Sequence, residues 1–342
     1  MDAAARPEHR RVGDVLARTS PRVGLVLGGG GLTGIAFHAG VLHALQAATG
    51  WDPRDASLLV GTSAGALVAG LLRSGASAGE LRSWCLDEEL TAPWDDVRSR
   101  VDASWDELER GAQRWRPQPP PRIVRQALAA RTPRAVLAAL LPASSTDHRP
   151  LADAFAARAD GWPPAATWIC AAHHPSGRRA VFGRDLEAGL AEALAASSAV
   201  PGLFRPVTID GRRYSDGGAA SMTSADLTAG QPLDAVIVSA PLSQRGRSPS
   251  ALHTVLRWPV RRQLAAELAA VRQLGTPVLA IEPDAAAASA LGLNPLAEDN
   301  LAAIVAAASR GAHDQLGASA PGSARAQVSS ARTSTTVPPR ST

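Results

Sequence analysis

The chain has 342 residues, of which 45% are hydrophobic and 19% are charged, and its formal net charge is +4. This length and apolar fraction are sufficient for one large domain or two smaller ones with a substantial core. So small a net charge, spread along the chain, argues against nucleic-acid binding, and the two cysteines, Cys85 and Cys170, lack the spacing of metal ligands or of a disulfide framework.

Residues 1–20 are predicted to form a flexible leader, because this stretch is polar and rich in arginine and lacks the apolar segment of a secretory signal. The longest nearly apolar stretch, from Leu58 to Leu72, contains glycines and is shorter than the roughly 20 residues of a membrane-spanning helix. We therefore expect a cytoplasmic protein, either soluble or in transient peripheral contact with a membrane surface.

The first predicted strand, Val23 to Leu27, runs directly into a glycine-rich loop. The loop reads Gly28-Gly29-Gly30-Gly31-Leu32-Thr33-Gly34, and an apolar helix is predicted from Ile35 to Ala47. Consecutive glycines are costly in backbone entropy, so a ligand or a steric constraint is expected to require them. Two functions fit: phosphate binding through the pattern G-x-G-x-x-G, or an oxyanion hole built from backbone N–H groups.

A second predicted strand, Leu58 to Val60, leads into Gly61-Thr62-Ser63-Ala64-Gly65 and then into a helix of small residues. The pattern G-x-S-x-G in this context is typical of a nucleophile elbow, which places the serine hydroxyl at a helix N-terminus, where developing negative charge is favoured. A serine that only caps the helix is the alternative. Asp52 and Asp55 precede this strand, whereas a dinucleotide site needs an acidic residue at its end, so the spacing favours the oxyanion hole.

Residues 75–165 are predicted to form a helical insertion, broken by a proline-rich stretch at 117–121. Tryptophan is concentrated here, since the insertion holds five of the eight in the chain: Trp84, Trp94, Trp105, Trp115 and Trp162. One interpretation is that these side chains fill the insertion's own small core. The other is a cap over the active site that admits an apolar chain, because tryptophan suits a boundary between water and lipid.

Strands and helices alternate again after the insertion. Strands are predicted at 167–172, 179–182, 234–240 and 277–281, and helices at 186–197 and at 251–274, the second one interrupted near Pro259. Asp210-Gly211 predicts a hairpin turn. Alanine-rich helices are expected from 284 to 316, and the Ser-, Thr- and Pro-rich residues 317–342 are predicted to be a disordered tail.

The triplet Asp216-Gly217-Gly218 follows the second strand of that hairpin. It has the composition of another hairpin turn, but the residues after the glycines, Ala219 to Ala225, are small and polar and do not resemble a strand. The aspartate between a strand and flexible glycines is therefore a candidate for a functional site.

The glycine-rich loop, the serine elbow and this aspartate, in that order, together resemble the patatin-like phospholipases. The similarity covers roughly residues 22–281 and is weak within the insertion. It implies an α/β fold, a three-layer sandwich with a mainly parallel central sheet, in which residues 21–316 form one hydrolase domain. Thr33 stands where the family usually has arginine or lysine, a difference that bears on the substrate class more than on the chemistry.

The resemblance implies a serine acyl hydrolase that cleaves lipid esters, with Ser63 as nucleophile, Asp216 as its base and an oxyanion hole at Gly29, Gly30 and Gly31. The residues that flank these motifs are Gly28, Thr33, Gly34, Gly61, Gly65, Gly217 and Gly218. No cofactor is expected, and no cluster of side chains has metal-ligand spacing.

Three other hypotheses stay open at this point. A Ser-His-Asp triad would need a histidine after the acid, and His253 and His313 are the two that follow Asp216. The chain could also be a catalytically silent interaction protein, or a nucleotide-binding protein that uses the loop from Gly28 to Gly34.

Overall fold

A computed structural model of the chain describes residues 12–111, 136, 140–141, 144–246 and 251–317. An eight-stranded sheet lies at its centre. The strands are β1 (Val23–Leu27), β2 (Leu58–Thr62), β3 (Thr167–His173), β4 (Arg178–Phe182), β5 (Val207–Ile209), β6 (Arg212–Asp216), β7 (Ala235–Ser239) and β8 (Val278–Ile281). The helices are α1 (Gly31–Thr49), α2 (Ala64–Arg73), α3 (Ala78–Cys85), α4 (Ala92–Gly111), α5 (Arg149–Phe155), α6 (Leu190–Ser198), α7 (Ala251–Gln273), α8 (Ala285–Leu291) and α9 (Leu301–Gly317).

The centre of the sheet is parallel, in the order β3-β2-β1-β7-β8. Strands β4 and β6 both run antiparallel to β3, and β5 pairs with β6. The carboxyl ends of β1 and β2 therefore lie side by side, which brings the glycine-rich loop next to the serine elbow. The predicted α/β fold with a mainly parallel sheet is confirmed.

Two apolar layers cover the two faces of the sheet. Leu25 and Leu27 of β1 belong to one buried cluster, while Val26 between them belongs to the other, as expected for side chains that alternate along a strand. The first cluster includes residues of α1, α2, α6 and α9, and the second includes residues of α7. Strands buried on both faces show continuous apolar sequence, which explains why β1 and β2 are recognisable from sequence.

Some predicted boundaries differ from the observed ones. Helix α1 begins at Gly31, inside the glycine-rich loop, and α7 continues through Pro259, so the predicted interruption is wrong. Proline removes one helical hydrogen bond, but Arg257 and Leu264, one on each side of it, are buried and hold the helix in place. The predicted hairpin turn is confirmed, since Asp210 and Gly211 connect β5 to β6 with φ values of 48° and 72°.

The predicted leader is partly packed. Residues 12–16 form a helical turn, and Val12, Val15 and Leu16 are buried against the core, while residues 1–11 lie outside the described residues. The residues after Gly317, predicted as a tail, also lie outside them. The limits of the hydrolase domain at 21–316 and of the insertion at 75–165 stay predictions. Among the described helices, none combines the length and apolar character needed to span a bilayer.

The tryptophans of the insertion face inward where the structure describes them. Trp94 is 6% exposed, Trp84 stacks on Phe155 with ring centroids 5.9 Å apart, and Trp105 and Trp162 pack against the main core. Trp94 is buried and the other three are partly buried in packed clusters, as the first interpretation predicts, and the cap over the active site stays a prediction. Trp115 lies outside the described residues.

Candidate active site

The turn between β2 and α2 holds Ser63 in a strained conformation. Its φ is 54° and its ψ is −123°, and a non-glycine residue in such a sparsely populated region costs about 1–3 kcal/mol. The turn is tight because α2 packs against the end of β1: a Cβ on Gly65 would lie 2.0 Å from the carbonyl oxygen of Leu27. Gly61 is equally crowded, since a Cβ there would lie 2.6 Å from the Cα of Ala66. The predicted strand–turn–helix context of the serine is confirmed.

A second serine fixes this turn to the neighbouring strand. The Ser63 N–H donates to the Ser197 hydroxyl oxygen at 2.9 Å, and the Ser197 hydroxyl donates to the carbonyl oxygen of Cys170 at 2.7 Å. Ser197 is fully buried at the end of α6. Nothing in the local sequence distinguishes it from the adjacent Ser198, so its role emerges only from the fold.

Asp216 is the last residue of β6, and the register of β3 places it beside the elbow. Cys170 pairs with Thr62 of β2, and the next residue, Ala171, pairs with Asp216. The backbone N–H of Asp216 donates to Ala199 O at 2.9 Å. Its Oδ1 accepts the N–H of Gly218 at 2.7 Å, in the 3₁₀ turn that begins at Gly217. The carboxylate is thus fixed in orientation by its own turn.

Burial makes the Asp216 carboxylate a stronger base than an exposed one. The residue is 6% exposed, and burial raises its pKa from 3.8 to about 6, although hydrogen bonding from the Ser63 hydroxyl and from the Gly218 N–H opposes this rise. Its Oδ2 is buried and has no well-formed hydrogen bond within the described part of the chain. The bond from the Ser63 hydroxyl to this carboxylate is therefore not fully formed in the described structure. Such bonds commonly tighten when a substrate binds.

The glycine-rich loop is anchored on both sides, and this changes which amides are free. Gly28 N–H donates to Ser239 O at 3.0 Å, and Gly29 N–H donates to Met222 O at 2.8 Å. The prediction that Gly29 contributes to an oxyanion hole is therefore wrong for this conformation, because its donor is occupied. Gly30 and Gly31 have no acceptor for their N–H groups among the described residues. Gly29 nevertheless lies against the elbow, since a Cβ on it would be 3.3 Å from the Ser63 Cβ.

A turn from the far end of the chain covers the loop at Gly31. This glycine has a φ of +63°, and a Cβ on it would lie 2.4 Å from the Pro295 carbonyl oxygen. The same oxygen accepts the Thr33 N–H at 3.1 Å, and the Thr33 hydroxyl donates to Gly30 O at 3.2 Å. Gly34 N–H also donates to Gly30 O, at 3.0 Å. Thr33 is 2% exposed, so the position where the resemblance implies arginine or lysine here holds a small buried side chain.

His38 on α1 is a buried support for the glycine-rich loop. Its Nε2 lies 2.8 Å from Gly28 O, and its Nδ1 lies 2.8 Å from the Ser239 hydroxyl. Because the carbonyl can only accept, Nε2 carries the proton and Nδ1 accepts from the serine. Burial lowers the pKa of His38 to about 4, so the ring is neutral at pH 7.

Glu267 on α7 orders the loop that follows Asp216. Its carboxylate accepts the hydroxyls of Ser221 and Thr223, each at 2.5 Å, and the N–H of Ala225 at 2.9 Å. Between these residues lies Met222, whose carbonyl holds Gly29. Burial raises the pKa of Glu267, and these three donors oppose the rise. A lone glutamate on an amphipathic helix gives no sequence signal of this role.

The structure offers little support for the other arrangements considered. Asp52 accepts from Arg54 in a 3₁₀ turn before β2, at the opposite end of the strand from the glycine-rich loop. Among the described residues no histidine shifts the pKa of the Asp216 carboxylate. His253 lies on α7 and His313 lies on α9. Within the same residues there is no cluster of three or more His, Cys, Asp or Glu that could hold a metal ion.

Comparison with known proteins shows what the chain is similar to. Residues 25–229 match the family described as patatin-like phospholipase. Among solved structures, VipD from Legionella pneumophila aligns over 88% of this chain and 67% of its own, with 14% identity and a TM-score of 0.45. The type III effector protein ExoU aligns over 86% of this chain and 54% of its own, with 17% identity and a TM-score of 0.33. The chain thus spans only part of the length of both proteins. No curated protein matches the sequence.

Proposed function

The chain belongs to the patatin-like phospholipase family, and from this premise we propose that it is a serine hydrolase of lipid acyl esters with Ser63 as nucleophile and Asp216 as base. Membership of the family supports a lipid acyl hydrolase in general. The assignment of the two residues is our own and is supported by their juxtaposition at the carboxyl edge of the sheet.

The first half of the reaction transfers the acyl group to the enzyme. Asp216 accepts the proton of the Ser63 hydroxyl while the Ser63 Oγ attacks the carbonyl carbon of the ester. The tetrahedral intermediate collapses when its bond to the alcohol oxygen breaks, and the leaving alcohol takes the proton from Asp216. The product of this half is an acyl ester on Ser63.

The second half returns the enzyme to its starting state. Asp216 deprotonates a water molecule, which attacks the acyl carbon, and the Ser63 oxygen leaves and recovers the proton. A pKa near 6 suits both steps, because the carboxylate is ionised at neutral pH yet basic enough to accept a proton.

The negative oxygen of the tetrahedral intermediate needs donors that are free before it forms. The N–H groups of Gly30 and Gly31 meet this condition, whereas that of Gly29 is held by Met222. Ala64 at the N-terminus of α2 contributes a further candidate N–H, since the residue after the nucleophile commonly does so. Loss of one such donor typically lowers the rate by about 10²–10³.

The single observation that carries the proposal is the strained Ser63, with φ of 54°, next to the buried carboxylate of Asp216 in the register set by β3. A serine that only caps a helix would accept a hydrogen bond from the first turn, and Ser63 makes no such bond. Strain maintained at a position without a capping role is typical of a functional site.

The experiment is a comparison of hydrolysis rates on soluble p-nitrophenyl esters of increasing acyl length and on phospholipid in mixed micelles. Wild-type chain is expected to hydrolyse at least one series, and Ser63→Ala to hydrolyse none. Ser74→Ala is the matched control, because its hydroxyl only donates to Gly70 O at the far end of α2. Equal rates for wild type and Ser63→Ala would overturn the proposal, and a folded wild type without turnover would favour a silent interaction protein.

A further inference from the structure

We propose that the outer face of α7, together with an arginine-lined cavity beside it, docks the protein onto a bilayer that contains anionic phospholipids. This inference rests on the proposed function, since it names the surface on which the substrate would be met. The docking face consists of Val255, Trp258, Arg261 and Arg262, with the cavity between α7 and β8.

The first observation is an exposed apolar pair on the helix. Trp258 is 56% exposed and Val255, one turn earlier on the same face, is 68% exposed. The Arg262 guanidinium lies 5.5 Å from the centroid of the Trp258 ring. Tryptophan flanked by arginine is the side-chain combination that partitions to the membrane interface, where the ring sits at headgroup level and the cation meets phosphate.

The second observation is the cavity, which has a volume of about 460 Å³. Arg245, Arg261 and Arg272 line it, and Glu282 is the one carboxylate among its described lining residues. Glu282 also accepts the hydroxyl of Ser243. Arg272 already has an interaction partner within the protein, but the guanidinium groups of Arg245 and Arg261 alone outnumber the one carboxylate. This excess of positive charge complements a phosphate group. Arg261 belongs to both the cavity and the exposed face, so the two are continuous.

The third observation is that this surface is fixed to the catalytic edge of the sheet. Arg257, the neighbour of Trp258, is 5% exposed and donates to Pro241 O at 2.7 Å and to Ser243 O at 3.0 Å. The Pro241 ring lies 2.9 Å from the position of a Cβ on Gly30. Two further helix residues, Gln263 and Glu267, hold the loop after Asp216. The helix that carries the docking face therefore also holds the segments that flank the glycine-rich loop and Asp216.

Other exposed apolar side chains lie at the same edge. Leu293 is 47% exposed and closely precedes Pro295, which covers Gly31. Val200 is 37% exposed and follows Ala199, whose carbonyl accepts the Asp216 N–H. Apolar surface that surrounds a catalytic edge is what an enzyme needs to draw a lipid from an aggregate.

The test measures co-flotation of the full chain with vesicles, in the Ser63→Ala background so that turnover does not change the lipid. Vesicles of phosphatidylcholine alone are compared with vesicles that contain phosphatidylglycerol. The Ser63→Ala chain without further substitutions is expected to bind the vesicles that contain phosphatidylglycerol more tightly than those of phosphatidylcholine alone. Each arginine near an anionic membrane strengthens binding about fivefold. The double variant Arg261→Gln/Arg262→Gln is therefore expected to bind anionic vesicles about 25-fold more weakly. Trp258→Ala is expected to weaken binding to both compositions.

The matched controls are Arg310→Gln, an exposed arginine on α9, and Leu274→Ala, a 63% exposed side chain just beyond the opposite end of α7. Both are expected to bind vesicles like wild type. With Ser63 restored, Arg261→Gln and Arg262→Gln should leave hydrolysis of a soluble ester unchanged and slow hydrolysis of vesicle lipid. If only the proposed function is wrong, the chain will hydrolyse neither the soluble ester nor the vesicle lipid, but it will still bind vesicles.

Two results would overturn the inference. One is vesicle binding that the α7 substitutions do not change or that the control substitutions reduce equally. The other is saturable binding of inorganic phosphate without any vesicle binding, which would indicate a site for a soluble phosphate compound.

Discussion

Ser63 and Asp216 lie beside each other because consecutive residues of β3 pair with the two strands that carry them. Cys170 pairs with Thr62, the residue before the serine, and Ala171 pairs with Asp216 itself. Along β3, pairing with β2 ends at Cys170 and pairing with β6 begins at the next residue, Ala171. The fold therefore brings two distant parts of the chain together without any loop having to reach across.

Asp216→Asn is expected to lower kcat for ester hydrolysis by at least about 10², because general-base assistance typically contributes 10²–10⁴. The amide keeps the shape and can still accept the Gly218 N–H, so the thermal midpoint should change little. Steady-state kinetics and thermal unfolding of the same preparation check this prediction. An active Asp216→Asn variant would show that another group deprotonates Ser63.

The rate is expected to depend on pH through the Asp216 carboxylate. Its pKa of about 6 lies above that of an exposed aspartate, so the base loses its proton as the pH rises through 6. A plot of log kcat/KM should rise with unit slope below about pH 6 and reach a plateau above it. A plateau that extends unchanged to pH 4 would contradict the assignment.

The histidines are expected to affect stability and not chemistry. Burial lowers the pKa of both His38 and His148 to about 4, below the value of 6.5 for an exposed histidine. The unfolded chain therefore binds more protons between pH 6.5 and 4, so the free energy of unfolding should fall as the pH is lowered through this window. Denaturant unfolding at a series of pH values measures it.

Substitution separates this role from catalysis. His38→Ala removes the partner of Gly28 O and Ser239 and is expected to lower the thermal midpoint. His253→Ala and His313→Ala should leave ester hydrolysis unchanged. Loss of turnover in either of these two variants, with the fold retained, would support the Ser-His-Asp alternative.

Glu267 is expected to act as a positioning residue through the loop it holds. Glu267→Gln keeps an acceptor in place and should fold, with a drop in kcat and a smaller change in KM. Glu267→Ala leaves two hydroxyls and one N–H without their acceptor, at a cost of about 1–3 kcal/mol each, and should be clearly destabilised. Kinetics and urea unfolding of both variants check this. Destabilisation without any effect on kcat in the Gln variant would indicate a structural role only.

Local sequence was sufficient for the parts of the fold that depend on local chemistry. The strands β1 and β2 follow from continuous apolar runs, and the turn at Ser63 follows from the glycines that allow close packing against Leu27. The hairpin at Asp210-Gly211 follows from turn chemistry. Each of these signals lies within a few residues of the feature that it predicts.

The features that sequence reasoning missed depend on contacts between distant segments. Gly29 loses its free amide to Met222, and Gly31 is covered by Pro295, and neither partner is marked by a motif. Tryptophan-rich composition alone does not show that Trp84 packs against Phe155, which lies 71 residues further along the chain. The exposed tryptophan among the described residues lies on α7, at Trp258.

The most direct test of the central claim is covalent capture of the nucleophile by a fluorophosphonate, followed by mass spectrometry of the labelled peptide. The reagent phosphonylates a serine only where a base activates it, so the label is expected on Ser63, and Asp216→Asn should be labelled far more slowly. A well-folded chain that stays unlabelled, or a label on a different residue, would contradict the account.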